Sequence, residues 1–320
     1  MMKENGIKEI AEAAGCSCST VSRVLNNKNG ISEAVRKKIL SIAESLDYAN
    51  KRKKRIVAVF CFLDSDGYDA YSMHLLRQVV LTLHNSGFYA EVLFNENIEI
   101  VGEHYICGAI SIQISVEGIP ELWGKKYRLP MVCVNDRDNL PEDIHSVVSD
   151  DRLAISNAVQ WLYENGHRSI YLLTVKIQEN NLTDETRLKA FEEKIKELGI
   201  ESDCGVCFTR NRFRSTLPVD TYIKKIPKNC TAVINLIEDS AYNFGTRMKV
   251  LRPDIAFITY SYPWQQDVLS MGFPCIVHDF NTLTRKTVQL LKDQLEGRQI
   301  RSQRIPFIFK IPASMKKNGE

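Results

Sequence analysis

From residue 56 onward the chain alternates short apolar runs with amphipathic stretches, and this alternation restricts the fold more than any other feature. "IVAVFCFL" (56–63) is continuous and rich in β-branched and aromatic residues, as expected of a strand buried on both faces. A helical stretch follows from Tyr71 to Ser86, with Leu75, Val79 and Leu83 along one stripe. "AEVLF", "GAISIQI", "MVCVN", "SIYLLTV", "TAVINLI", "DIAFITY" and "CIVHDF" read as further strands. "DRLAISNAVQWLYENGH", "DETRLKAFEEKIKELGI" and "NTLTRKTVQLLKDQLEG" read as helices, the last ending at Gly297. Repeated strand-then-helix units predict an α/β body with doubly wound parallel sheets, and this many strands predict two lobes. Ligands of such folds sit at the carboxyl ends of the strands, which here predicts a cleft between the lobes.

The 320 residues are 44% hydrophobic and 25% charged, enough chain for two or three domains with a sizeable core. There is no run of about 18 uninterrupted apolar residues, and "MMKENGIKEI" lacks the apolar stretch of a signal peptide, so a cytoplasmic location without a membrane partner is expected. Nine scattered cysteines (16, 18, 61, 107, 133, 204, 207, 230, 275) suit a reducing compartment rather than a disulfide framework. Cys204 and Cys207 have C-x-x-C spacing but no second pair for zinc, which favours structural thiols. The six histidines are dispersed, and neither a Gly-rich phosphate loop nor a G-x-S-x-G elbow occurs. No catalytic site, metal or cofactor is expected, and the chain does not read as an enzyme.

Charge is distributed unevenly. Residues 1–55 hold 12 Lys/Arg against 6 Asp/Glu, and the rest hold 30 against 33, so a basic head precedes a nearly neutral body. In the head, Ile7, Ile10, Ala11 and Ala14 fall on one helical face, and Gly15 ends that helix. Ser17 is suited to N-cap a second helix with Val21, Val24 and Leu25 inward, ending at Asn26-Asn27. Ser32 opens a third, with Ile39, Leu40, Ala43 and Leu46 inward. This is the outline of a three-helix helix-turn-helix, whose second helix enters a major groove N-terminus first. Arg23 can reach the O6 and N7 of guanine, while Ser17, Thr20 and Ser22 suit phosphates. A solvated face on a small helix has the same pattern, so spacing alone leaves both readings standing. Cys16 and Cys18, near a helix start, raise thiol sensing as a lesser alternative.

The stretch "IKEIAEAAGCSCSTVSRVLNNKNGISEAVRKKILSIAESLDY" resembles the DNA-binding head of the LacI/GalR family of bacterial regulators, through A-x-x-A-G-x-S-x-x-T-V-S-R-V-L-N followed by I/V-S-x-x-x-R. The resemblance implies that Cys18, Ser19 and Arg23 choose bases, with Asn26 and Ser32 also at the DNA. It also implies a minor-groove hinge helix after Tyr48, and here the chain departs from the pattern: "ANKRKKR" follows, without the wedge leucine. Seven residues span at most about 25 Å, too little for both a helix and a connection. Lys51, Arg52, Lys53, Lys54 and Arg55 repel one another in a helix and favour an extended strand along phosphates. The expected organisation is a head over 1–48, a basic linker over 49–55 and an effector-binding, dimerising domain over 56–320.

The body resembles the same family's effector domain, a type I periplasmic-binding-protein fold, in "LPMVCVND", "SVVSDD", "NGHRSI", "DETRLKAFEEKIKELGI" and "RPDIAFITY". The resemblance implies that Arg187, in Arg187-Leu188-Lys189-Ala190-Phe191, holds a sugar hydroxyl or an effector carboxylate, a task suited to its rigid fork of donors. The bland alternative is a surface helix residue paired with Glu185 or Asp184. The family carries an Asn-Asp pair after "TAVIN", for which the nearest candidates here are Glu238 and Asp239, with Asp239 taken as the site residue. Thr259-Tyr260-Ser261-Tyr262 replaces the usual G-F/Y-D-D, so Tyr262, Tyr260 and Trp264 either stack on a ligand ring or fill the core. Tyr68 and Tyr71 lie where relatives place cleft residues.

The function expected is a sequence-specific regulator of transcription, a repressor acting as a homodimer on a double-stranded DNA operator and controlled by a small effector such as a sugar. An effector-independent repressor with a vestigial pocket is one alternative. A ligand or thiol sensor with little operator specificity is the other.

Overall fold

The protein is described from a computed structural model over residues 5–25, 28–46, 56–61, 70–94, 106–112, 123, 127, 129–135, 140–175, 182–207 and 218–315. The chain divides into two compact units, Met1–Val148 with Phe280–Gln303, and Ser149–Asp279 with Arg304–Glu320.

The first unit begins with three helices, α1 (Asn5–Ala14), α2 (Cys18–Leu25) and α3 (Glu33–Ser45). Gly15 has φ +67°, and the two amides beyond α1 turn back: Gly15 N–H donates to Glu12 at 3.2 Å and Cys16 N–H to Ala11 at 3.0 Å. This is the paired bonding of a Schellman motif, which needs a left-handed residue after the helix and so explains the glycine. Ile10, Ala11, Ala14, Val21, Val24, Ile39 and Ala43 form the head's core, with Cys16, Ile31 and Ile42 packed against it. The expected inner face of α3 needs one correction. Leu40 and Leu46 are 46% and 40% exposed. Ile39 and Ala43 take the buried stripe because a 100° step per residue carries position 40 round to solvent.

The same unit continues with β1 (Ile56–Cys61), α4 (Ala70–Asn85), β2 (Tyr89–Phe94), β3 (Gly108–Ile112), β4 (Met131–Val134) and β5 (His145–Ser149). Its six-stranded sheet has the order β11-β5-β4-β3-β1-β2, with β11 spanning Gln303–Ile305. The pairings of β1 through β5 are parallel. Trp123 anchors one face, its ring 5.7 Å from Phe60 and 4.8 Å from Tyr127, while its Nε1 donates to Leu129 O at 2.7 Å. That bond lets an indole be fully buried.

The second unit contains α5 (Asp151–Glu164), β6 (Ser169–Val175), α6 (Leu182–Leu198), β7 (Glu201–Cys207), α7 (Val219–Ile223), β8 (Ala232–Asn235), a 3-10 turn (Glu238–Ser240), α8 (Ala241–Leu251), β9 (Ala256–Ser261), α9 (Gln266–Leu269) and β10 (Cys275–Val277). The chain then returns to the first unit through α10 (Phe280–Leu295) and closes the second sheet with β12 (Ile308–Lys310). That sheet runs β12-β10-β9-β8-β6-β7, parallel except for β12 against β10. Both sheets therefore repeat one strand order, in which the first strand of the set lies between the second and third. The strand order reverses at β1/β3 in one unit and at β6/β8 in the other, the places where such sheets bind ligands. The expected doubly wound α/β class holds.

"CIVHDF" is a strand only through Val277, and Phe280 already opens a helix. The strand β7 reads poorly in the sequence, because "ESDCGVC" is an edge strand with polar, exposed positions. Cys204 and Cys207 lie on its backbone, and their side chains are outside the described set. Among the described residues no helix is long and apolar enough to cross a membrane, and no group of three or more His, Cys, Asp or Glu could hold a metal ion.

Candidate functional site

The N-terminus of α2 is built as the sequence implies. Ser17 Oγ accepts from Thr20 N–H at 3.1 Å and lies 2.9 Å from Thr20 Oγ1, so the cap and the first turn fix each other. Val21 and Val24 face the core, which turns Ser17, Cys18, Ser19 and Arg23 to solvent and leaves Thr20 and Ser22 half-buried. Cys16 packs on the core whereas Cys18 is exposed, so the two thiols have different surroundings. Arg23 Nη2 donates to Asn29 O at 2.9 Å, and Arg36 Nη2 donates to Lys28 O at 2.8 Å. Two guanidinium groups thus hold the turn between α2 and α3. Ser32 caps α3, accepting from Val35 N–H at 3.4 Å. The sequence points to Arg23 as a base reader but carries no signal for its contact with Asn29. Asn26, Lys51, Arg52, Lys53 and Lys54, and with them the expected linker, lie outside the described residues.

In the second unit, the carboxyl ends of the strands gather a polar cluster around Arg187. Arg187 is 4% exposed, not a surface residue. Its Nε donates to Asp151 Oδ1 at 2.6 Å and its Nη1 to Glu238 Oε1 at 2.8 Å. The guanidinium carbon stands 4.1 Å over the centre of the Tyr260 ring. Glu185, the neighbour expected to pair with it in the bland reading, binds Lys189 instead. Asp151 arrives on the first turn of α5, whose N-cap Asp150 accepts from Leu153 N–H at 3.0 Å. Carboxylates there are favoured by the helix dipole. Glu238 comes from the 3-10 turn after β8, and its buried carboxylate is 3.8 Å from His278 Nε2. The adjacent Asp239, which the sequence favours for this role, is exposed, and Glu238 is the residue that meets Arg187.

Gln265 ties the cluster to the end of β9. Its Nε2 donates to Glu238 O at 3.0 Å, and its Oε1 accepts from Tyr262 N–H at 2.9 Å and Ser261 Oγ at 3.0 Å. Tyr262 is buried and stacked on Trp264 at 4.5 Å and 11°, with His278 5.7 Å away on a similar tilt. Tyr260 is fully buried against Phe307 and fills the core. Burial raises its phenol well above the ordinary tyrosine value, with Arg187 opposing and Asp151, Glu238 and Asp150 reinforcing the rise.

In the first unit, Tyr71 stands on the opening turn of α4 with its ring 5.2 Å from Phe280, and Asn135 Nδ2 donates to its hydroxyl. Asn135 follows β4 with φ +50°, a left-handed conformation that asparagine tolerates better than most residues. The sequence carries no signal for Asn135 as a site residue, although its side chain and Tyr71 meet at the carboxyl end of the strands. Tyr68 lies outside the described residues.

Three helices of helix-turn-helix type, preceding two repeated parallel sheets, define a class of two-part protein with a periplasmic-binding-protein-like body. Residues 6–50 match the model for bacterial regulatory proteins of the lacI family, and residues 119–212 match periplasmic binding proteins and sugar binding domain of LacI family. The chain is 27% identical to the uncharacterised HTH-type transcriptional regulator YkvZ of Bacillus subtilis over 60% of its own length and 62% of the relative's. It is 29% identical to the HTH-type transcriptional regulator TreR of Salmonella typhimurium over 53% of its length and 56% of the relative's. Less than two thirds of those relatives' length is therefore spanned. Among solved structures, the lac repressor dimer bound to operator and the anti-inducer ONPF aligns at TM-score 0.66 and 16% identity, covering 95% of this chain and 96% of that one. The transcriptional regulator CelR–cellobiose complex aligns at TM-score 0.62 and 17% identity, covering 96% and 99%. Over residues 6–50 and 119–212 the chain therefore resembles LacI/GalR-family regulators, in its head and in part of its body.

Proposed function

We propose that this chain is a sequence-specific DNA-binding regulator of transcription, a repressor that acts as a homodimer in the cytoplasm and answers to a small effector. The observation that carries the reading is the capped N-terminus of α2, with Ser17, Cys18, Ser19 and Arg23 on its solvent side and Val21 and Val24 beneath. Short polar side chains let a helix sit deep in a major groove, and Arg23 is long enough to contact guanine. The family model over residues 6–50 supports the same role. Lys51 to Arg55 supply phosphate contacts that strengthen binding without choosing sequence. The effector binds in the second unit, at the carboxyl ends of β6, β8 and β9, around Arg187, Glu238 and Tyr262. It acts by favouring one conformation of the body over another, which requires different affinities for the two.

Selection of bound duplexes from a random pool, with the full chain at physiological salt, tests the DNA reading. Enrichment of a near-palindrome with two half-sites is expected. Binding without an enriched motif would overturn operator recognition and leave only phosphate attraction.

A further inference from the structure

The turn between α2 and α3 is fastened at three points. Lys28 N–H donates to Arg23 O at 2.8 Å, which closes the end of α2. Arg23 Nη2 donates to Asn29 O at 2.9 Å, so one residue holds the turn through both its backbone and its side chain. From the other side Arg36, on α3, donates from Nη2 to Lys28 O at 2.8 Å. Arg23, Lys28, Asn29 and Gly30 are all exposed, so these bonds, and not packing in the core, order the Arg23 side chain.

Gly30 is the other condition for that order. Its φ of +88° lies in the left-handed region, and a Cβ there would stand 3.2 Å from Arg23 Nη2. The atom that must give way is the far end of a flexible side chain, so the head can accept the Cβ by moving the guanidinium away from Asn29. Gly15 provides the contrast: it too is left-handed, at φ +67°, and nothing lies within 4 Å of its Cβ position. One glycine serves the backbone alone, whereas the other also leaves room for Arg23.

A long side chain that becomes ordered only on binding gives up affinity for the freedom it loses, and one ordered beforehand does not. Nη2 carries two hydrogens, and the bond to Asn29 uses one. The second, with those on Nη1, remains as a fork for the O6 and N7 of guanine. We infer that Gly30 and Arg36 are positioning residues for base readout, which set the 28–30 turn so that Arg23 is oriented before the head meets DNA. Neither needs to touch a base. This rests on the reading of α2 as the helix that enters the groove.

The test is selection from a random duplex pool with the full chain as wild type, Arg23→Ala, Gly30→Ala, the double variant of these two, Arg36→Met and Gly15→Ala. Gly30→Ala is expected to lower preference at least about threefold at the base pair where Arg23→Ala acts, and nowhere else. In the Arg23→Ala background it should change nothing further there, because the side chain it displaces is gone. Arg36→Met should show the same position-specific loss, and Gly15→Ala should leave the motif intact. Where circular dichroism shows that Gly30→Ala unfolds the head, Gly30→Asn takes its place, since asparagine tolerates the left-handed region. A motif unchanged by the Gly30 substitution, or weakened alike at every position, would overturn the role of Gly30. A loss from Arg36→Met spread evenly over all sequences would make Arg36 a phosphate contact instead. A wild-type motif that Arg23→Ala leaves unaltered would overturn the inference and leave operator recognition standing, whereas no wild-type motif at all would overturn both.

Discussion

Arg187 and Glu238 are joined by a 2.8 Å charge-assisted bond between two buried side chains that lie 51 residues apart in the chain. It links α6 to the turn after β8, across the point where the strand order of the second sheet reverses. The pair therefore serves the integrity of the unit as well as any ligand bound beside it.

Removing the cation alone should be costly. Arg187→Met leaves Asp151 and Glu238 facing each other without their counter-charge, and breaking a buried pair in this way typically costs about 3–5 kcal/mol. Arg187→Lys keeps the charge but not a fork that donates in two directions, so it should fall between wild type and Met. Urea unfolding monitored by circular dichroism gives the comparison. A midpoint for Arg187→Met within error of wild type would show that the triad contributes no stability.

The turn between α1 and α2 offers a backbone test. Gly15 has φ +67° and nothing within 4 Å of where a Cβ would stand, so Gly15→Ala adds no clash. Its cost is the left-handed conformation itself, about 1 kcal/mol. Ser17→Ala, which removes the cap, should cost a similar amount. Thermal melts followed at 222 nm, together with hydrogen exchange of the head amides, should show both losses confined to the head.

Thiol reactivity should divide the cysteines sharply. Cys18 is exposed, whereas Cys61, Cys133, Cys230 and Cys275 are buried. Burial pushes the Cys275 thiol up to about 11 and raises Cys230 as well, which keeps both protonated and unreactive at neutral pH. Brief alkylation at pH 7.5 followed by peptide mass spectrometry should therefore label Cys18 ahead of these four. Early labelling of Cys275 would contradict its place in the core.

Two histidines predict an acid-side loss of stability. His74 is lowered by burial and by Arg77, and His167 by burial and by Arg168. The unfolded chain binds these protons near pH 6.5 and the folded chain binds them less tightly. Their contribution is thus complete above about pH 6.5 and is lost as pH falls through the depressed folded values. Melting temperature should decline from about pH 7.5 to about pH 5.5, and His74→Gln with His167→Gln should flatten that decline. An equal decline in the double variant would assign it to other groups.

The parts of the molecule legible in the sequence are those governed by local rules. The head reads correctly because Ile10, Ala14, Val21 and Val24 follow helical spacing and because Gly15, Ser17 and Ser32 are stop and cap residues with distinct conformational needs. The parallel strands β1, β3 and β4 read correctly because burial on both faces makes them continuously apolar. An edge strand such as β7 lacks that pattern. The cluster around Arg187 is illegible for another reason: its partners come from three separate elements, and choosing Glu238 over Asp239 depends on the phase of a single 3-10 turn. Leu40 shows the same sensitivity to phase on α3, where one step from Ile39 separates core from solvent.

Arg23 joins the fold of the head to its proposed readout. In the free protein its Nη2 is bound to Asn29 O, and Gly30 leaves only 3.2 Å between a built Cβ and that nitrogen. A guanidinium has five N–H donors, so it can hold the turn with one and present others to a guanine. Arg23→Ala should then do two separable things. It should relax base preference at one position per half-site, worth about 1–3 kcal/mol of discrimination, and it should loosen the turn between α2 and α3. Arg23→Lys preserves the charge but cannot form a bidentate base contact, so it should lose the discrimination while keeping most of the non-specific affinity. Sequencing-based selection with the three proteins, at two salt concentrations, reads both effects. An unchanged motif with Arg23→Ala would remove Arg23 from the readout and leave it as a brace for Asn29.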